Sequence, residues 1–218
     1  MIQQTRSTLL ALLLIASLLA CGGCINMAAN MIHAITGNNR PADYDGLKEQ
    51  RVAVVCLTDG GLAADANSAM LTNYIHAGFN SNIKKIDVVR ASEVERWIDS
   101  HNSSEGADYL EIGKGVKADR VVAVEVVNLS VKNGATLYQG KSDISVTVYD
   151  IPGGGKVLYQ KHIPEFVFPK MGGPTITDIS EAKFRARYLA IVARTVATLF
   201  YPVDSTADFA LDATANSF

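Results

Sequence analysis

The side chains of this 218-residue chain that could do chemistry are few and widely spaced. Cys21, Cys24 and Cys56 offer thiols, whose deprotonated form is the nucleophile. His33, His76, His101 and His162 are scattered, with no HExxH pair and no carboxylate at zinc-ligand spacing, so neither a metal nor a cofactor is expected. The glycines of "GGGK" at 153–156 lack the spacing of a phosphate loop, because Val157 follows Lys156. Asp59, Gly60 and Gly61 stand where an apolar strand passes into a helix, the edge at which parallel sheets bind ligands. An acid there repels a phosphate but could hold a cation or a sugar hydroxyl. Phe166, Phe168 and Met171 lie among prolines and glycines in "FVFPKMGGPT". Apolar anchors on such a loop dock proteins, and the alternative is that they close one end of the core.

Cys21 has the most informative surroundings. The apolar run from Leu9 to Ala20 is shorter than the roughly 20 residues needed to cross a hydrocarbon core about 30 Å thick. It follows the polar segment MIQQTRST, with one positive charge at Arg6, which is the layout of a secretory signal peptide. Leu18, Leu19 and Ala20 then lead directly into Cys21. This stretch resembles the lipobox of bacterial lipoproteins, although Leu19 stands where that family more often has a smaller residue. The resemblance implies that Cys21 takes a diacylglyceryl group on sulfur, that the bond before it is cut, and that the new amino terminus is acylated. Two or more buried chains, at about 0.8 kcal/mol per methylene, anchor a protein stably where one holds marginally. Gly22, in place of the Asp that favours inner-membrane retention in enteric bacteria, points to the outer membrane, with the body facing the periplasm. Cys24 lacks the leucine three positions back and is the poorer candidate.

The remaining chain is long enough for one domain with a sizeable core. With 20 Lys and Arg against 22 Asp and Glu over the whole sequence, and no basic cluster, the chain has no electrostatic footprint for nucleic acid. Three cysteines build no disulfide framework, and Cys56, inside an apolar run, reads as a buried hydrophobe. Residues 25–50 contain a short helical stretch around Ala28 to Ile35 and then the turn-rich GNNRPADYDG, a tether. "RVAVVCLTD" reads as a strand buried on both faces. A helix follows whose Ala63, Ala66, Met70, Tyr74 and Ala77 share one face. Next come the strand "KIDVV", a helix capped by Ser92 with Glu95, and a weaker helix interrupted by Gly113 and Gly115. This β-α-β-α order predicts parallel pairing. Two long β-rich runs then flank Asn133-Gly134, a two-residue type I′ turn signal, and "PGGGK" leads into a third strand. The last helix starts from an Asp178 cap with Glu181, carries Phe184, Tyr188, Ile191, Val192, Thr195, Val196 and Leu199 on one stripe, and stops at Pro202.

The expected fold is therefore α/β: a mixed sheet with a β-α-β-α start, an antiparallel three-strand meander and a long C-terminal helix packed on one face. The expected segments are 1–20 signal peptide, 21–50 lipidated N-terminus and tether, 51–202 α/β domain and 203–218 flexible tail. "RVAVVCLTD", "IGKGVKADRVVAVEV" and "ISVTVYDIPGGGKVLYQ" also resemble landmarks of a periplasmic α/β lipoprotein family. That family includes the curli secretion-channel lipoprotein and the activators of penicillin-binding proteins; its usual Thr-Gly turn is replaced here by Gly153 to Gly155. The resemblance implies a noncatalytic envelope domain that binds a protein or the cell-wall machinery, and names no particular partner; a homo-oligomer is a further option, and a membrane-inserted Asn133 hairpin would demand a ring of subunits, although a buried sheet is expected. The alternative is a small-ligand binder or hydrolase using the Asp59-Gly60-Gly61 crevice.

Overall fold

The computed structural model describes residues 39–59, 65–101 and 108–204. Cys21, Cys24, Gly60, Gly61, Ala63, the helical stretch at 28–35 and residues 205–218 lie outside the described residues. The elements in chain order are β1 (Asn39–Arg40), β2 (Arg51–Thr58), α1 (Ala66–Asn82), β3 (Asp87–Val88), α2 (Ala91–Ser100), α3 (Tyr109–Gly115), β4 (Arg120–Asn133), β5 (Leu137–Asp150), β6 (Lys156–Phe168), α4 (Glu181–Ala197) and β7 (Val203–Asp204). A five-stranded mixed sheet has the order β3-β2-β4-β5-β6, and β1 pairs with β7 in a separate two-stranded ladder. Strand β2 runs parallel to β3 and β4, while β4, β5 and β6 form an antiparallel meander, so the expected α/β architecture holds.

Each face of the sheet carries its own apolar layer. Val52, Val54 and Cys56 of β2 join Val122, Val124 and Val126 of β4 and Ile144, Val146 and Val148 of β5 under α1 and α4. Ala53, Val55 and Val121 pack on the opposite face with Val94 of α2 and Ile112 of α3. Burial of the Cys56 thiol pushes its pKa up to about 12, so it is inert in the folded chain. At the open end of this layer Arg51 ties three elements together: its guanidinium meets Asp87 at 2.9 Å and Glu93 at 3.2 Å, and its backbone N–H donates to Asp119 at 2.8 Å.

Several local expectations change. The buried stripe of α1 is Ser68, Leu71, Thr72, Ile75 and Phe79, while Ala66, Tyr74 and Ala77 face outward and Met70 is half-buried. Size decides between the two stripes, because each fully buried Leu, Ile or Phe contributes roughly 1.5–3 kcal/mol and an alanine far less. Ser68 and Thr72 are tolerated inside because their hydroxyls are bonded, that of Thr72 to the Ser68 carbonyl at 2.9 Å. Helix α2 begins two residues earlier than the Ser92 cap predicts, after Arg90, with no side-chain cap. The chain is committed by then: the Val89 N–H is bonded to Val52 O, and the Arg90 carbonyl already accepts from Glu93 and Val94. Gly113 and Gly115 do not break α3; they let it approach Ile151 and the Trp97 indole.

The Asn133-Gly134 turn is longer than two residues. Asn133 pairs with Leu137, leaving Gly134, Ala135 and Thr136 as the loop, with Gly134 at φ 68°. Strand β6 runs on through Phe168, so Phe166 and Phe168 belong to the sheet and not to a loop. Pro164 is accommodated because β6 is an edge strand and the chain bulges beside it, with Glu165 at φ 48°. The cap of α4 is Ser180, whose hydroxyl accepts from Lys183 N–H at 3.3 Å; Asp178 instead closes a turn with Thr175. The folded body also begins before residue 51. Leu47 is fully buried, and Tyr44 stacks on Tyr159 at 5.4 Å and meets Phe200 edge-on.

Strand β5 and helix α4 are in close contact at Gly140. A methyl group at Gly140 would overlap the ring of Tyr188, which is fully buried and bonded at its hydroxyl to Ser142 at 2.7 Å. Gly140→Ala therefore lowers stability by about 1–3 kcal/mol, the usual cost of overpacking. Calorimetry reads this as a fall in Tm of several degrees, with an unchanged far-UV spectrum.

Candidate functional site

Asp59 follows β2 and is exposed, and both of its carboxylate oxygens are engaged within the chain. It accepts the N–H of Asn128 at 3.1 Å and of Leu129 at 2.7 Å, at the point where β4 bulges and Asn128 takes φ 57°. The N-cap of α1 is instead Asp65, whose carboxylate accepts from Thr58 Oγ1 and from Ser68 N–H at 3.2 Å. Burial works to raise the Asp65 pKa, and these hydrogen bonds outweigh it and hold the group below the usual range. Among the described residues, the space between β2, α1 and α2 that borders Cys56, Ser68 and Thr72 is about 30 Å³. Small-molecule pockets occupy roughly 300–1,000 Å³. No group of three His, Cys, Asp or Glu among the described residues could hold a metal ion.

A second carboxylate repeats the arrangement across the sheet. Asp143 of β5 accepts the N–H of Glu165 at 2.8 Å and Asn128 Nδ2 at 2.7 Å, and these bonds, that of Glu165 foremost, hold its pKa below the usual carboxylate value. The two bulges change which residues face the core. In β4 the inward set passes from Val122, Val124 and Val126 to Leu129 and Val131. In β6 it passes from Tyr159 and Ile163 to Phe166 and Phe168. A single inserted residue reverses the alternation of a strand, so without the bulges those later side chains would face solvent. Nearby, His162 Nδ1 lies 3.0 Å from Ser145 Oγ, a nucleophile and base type of pair that the sequence reading did not identify. Only the cross-strand register, Ser145 opposite His162, brings them together, and Asp143 gives its oxygens to Asn128 and Glu165 and not to the imidazole.

The residues from "FVFPKMGGPT" are separated by the fold. Phe168 is buried, Phe166 is half-buried with its ring 6.1 Å from Tyr188, and Met171 is 85% exposed. The loop that carries Met171 is tied on both sides. Gln139 Nε2 donates to the Pro169 carbonyl at 2.9 Å, Tyr138 N–H to Pro174 O at 2.9 Å, and Ile176 N–H to Thr136 O at 3.0 Å. Tyr138 in turn stacks on Phe184 of α4 at 5.3 Å. Around this end, Lys132 and Arg185 share Glu181, at 3.0 and 2.7 Å, while Lys170 and Lys183 are exposed. Lys132 first, then Arg185, holds the Glu181 pKa below its ordinary value. The result is a fixed apolar tip, Met171 with the half-exposed Ile176, beside a mainly basic rim.

No family model matches the chain, and no curated protein matches it. Its fold is similar to several solved structures. Lipoprotein GNA1162 from Neisseria meningitidis is 15% identical, with 67% of this chain and 97% of that chain covered and a TM-score of 0.42. The LpoB C-terminal domain from Salmonella enterica is 16% identical, with 55% and 85% covered and a TM-score of 0.37. The PelC dodecamer from Paraburkholderia phytofirmans is 14% identical, with 75% and 96% covered and a TM-score of 0.39.

The carboxylates make two predictions. Asp59→Ala leaves the N–H groups of Asn128 and Leu129 to water and lowers stability by about 1–2 kcal/mol, read from the urea midpoint. Asp143 has a depressed folded pKa, so its contribution is fully present above about pH 4 and is lost as the pH falls through that depressed value. The stability gap between the wild type and Asp143→Asn therefore narrows on acidification below about pH 4, in denaturation series run from pH 7 to pH 2.

Proposed function

We propose that this chain is a lipid-anchored protein of the bacterial cell envelope whose α/β body is a noncatalytic docking module. Cys21 carries the anchor, on the outer membrane with the body in the periplasm, and the hairpin end engages a protein partner. The observation that carries the reading is Met171: a large apolar side chain 85% exposed on a loop fastened by backbone hydrogen bonds. Displaying such a group without an occupant costs solubility, and a pre-fixed loop loses little entropy when it binds. The basic rim of Lys132, Lys170 and Lys183 selects a partner surface that is acidic around an apolar hollow. Phe166 and Phe168 support this surface from beneath and do not themselves make contact. Met171 projects from the backbone, so changing it does not disturb the fold.

The expected outcome is that cells given a labelled fatty acid label the wild-type chain and not Cys21→Ser, and that the variant leaves the membrane fraction. A photocrosslinker at position 171 forms one discrete protein adduct. Reversing Lys170 and Lys183 to Glu lowers its yield at least about tenfold with Tm unchanged, as expected when a rim of charge is inverted. An unlabelled mature chain overturns the anchor. An adduct insensitive to charge reversal overturns the docking surface.

A further inference from the structure

Among the described residues, helix α1 is the long helix whose outward face carries no charge. Its 17 residues contain no Lys, Arg, Asp or Glu. A helix on the outside of a water-soluble body ordinarily carries charge on its solvent side. Here that side consists of Ala66, Met70, Asn73, Tyr74, Ala77, Asn80 and Ser81, uncharged throughout, with Tyr74 39% exposed. Depletion of charge together with an aromatic and a methionine is the composition of a contact surface.

The fold places one candidate occupant near the C-terminal end of this helix. Asn39 pairs with Asp204, and Val203 and Asp204 border the same cleft as Asn82, the last residue of α1. The chain upstream of residue 39 therefore leaves the body next to the C-terminal end of α1. That upstream segment, INMAANMIHAITGN at 25–38, also lacks Lys, Arg, Asp and Glu, and its Ile25, Ala28, Ile32 and Ile35 recur at helical spacing. Its reach is suitable: about 20 Å if helical and up to about 45 Å if extended, against about 25 Å for α1. Attachment at one end gives the segment a local concentration in the millimolar range, ahead of any separate molecule.

We propose that residues 25–38 lie along the outer face of α1, running in the same direction as the helix, and cover Met70, Tyr74 and Ala77. The tether is then part of the body, and only residues 22–24 separate Cys21 from it. This docking stands independently of lipid on Cys21.

Paired cysteines in the full chain test it, with Cys24→Ser to remove a competing thiol and Cys56 left in place because it is buried. Ile32→Cys with Ala77→Cys is treated with a short bismaleimide. Ile32→Cys with Val157→Cys, an exposed position on the far face of the sheet, serves as control, and the single-cysteine chains reveal any bond to Cys21. The expected result is a 32–77 link within one chain and at least about tenfold less 32–157 link. Links through position 77 only between two chains overturn the proposal in favour of self-association. Equal linking to 77 and 157, or no 32–77 link, overturns it outright. Hydrogen exchange supplies the second measurement: Ala77→Glu, a substitution at an exposed site, speeds exchange of the amides at 28–35 at least about tenfold, and an unchanged rate overturns the docking.

Discussion

The rest of the body depends on two carboxylates that hold left-handed backbone in a sheet. Strands β4, β5 and β6 are 14, 14 and 13 residues long, and β5 keeps one inward parity from Tyr138 to Val148. Its neighbours do not. Each must slip by one residue partway along, or half of its apolar side chains would be in water. Asp59 and Asp143 receive the N–H groups that the slips leave without ladder partners, and Asn128 links the slipped strand to Asp143. Beyond that level the meander closes over the first half of α4 through Tyr138 on Phe184 and the Ser142, Tyr188 and Phe166 contacts. The loop bearing Met171 is built on this second storey.

The same constraint explains what was legible in the sequence. Strand β2 announces itself as an unbroken apolar run, and β5 as strict alternation of Ile144, Val146 and Val148 with Ser145 and Thr147. The β-α-β-α order followed from those periods. The bulges did not, because Asn128 and Glu165 are ordinary residues; their trace is the switch of parity from Val126 to Leu129 and from Ile163 to Phe166. Helix α1 offered two stripes at the same spacing, and only total apolar content separates Leu71, Ile75 and Phe79 from Ala66, Met70, Tyr74 and Ala77, a stripe with two alanines and a phenolic hydroxyl. At the caps, the serine or acid three residues before a glutamate occurs both at true and at false helix starts, so Ser92 and Asp178 misled. The position of Asp59 at a strand exit was legible. Its role was not, since its partners lie 69 and 70 positions away.

The candidate docking end illustrates how a fold sorts residues of one composition. Phe166, Phe168 and Met171 are near neighbours in the chain and equally apolar. Strand alternation and the bulge turn the two rings toward α4, while the loop after Phe168 leaves the methionine outside. An apolar cluster in a sequence thus divides into a foundation and a contact, and only the register decides which is which.

The pairing of β1 with β7 has a mechanical consequence. It joins the chain at residue 39 to the chain at residue 204 through a ladder of two residues, with the rings of Tyr44, Tyr159 and Phe200 behind it. A pull applied to the chain at residue 39 loads this short clasp and the rings before the sheet. The parallel core of β2 and β4 feels the strain only after they part, so the clasp works as a fuse that yields locally and can re-form while the sheet stays intact.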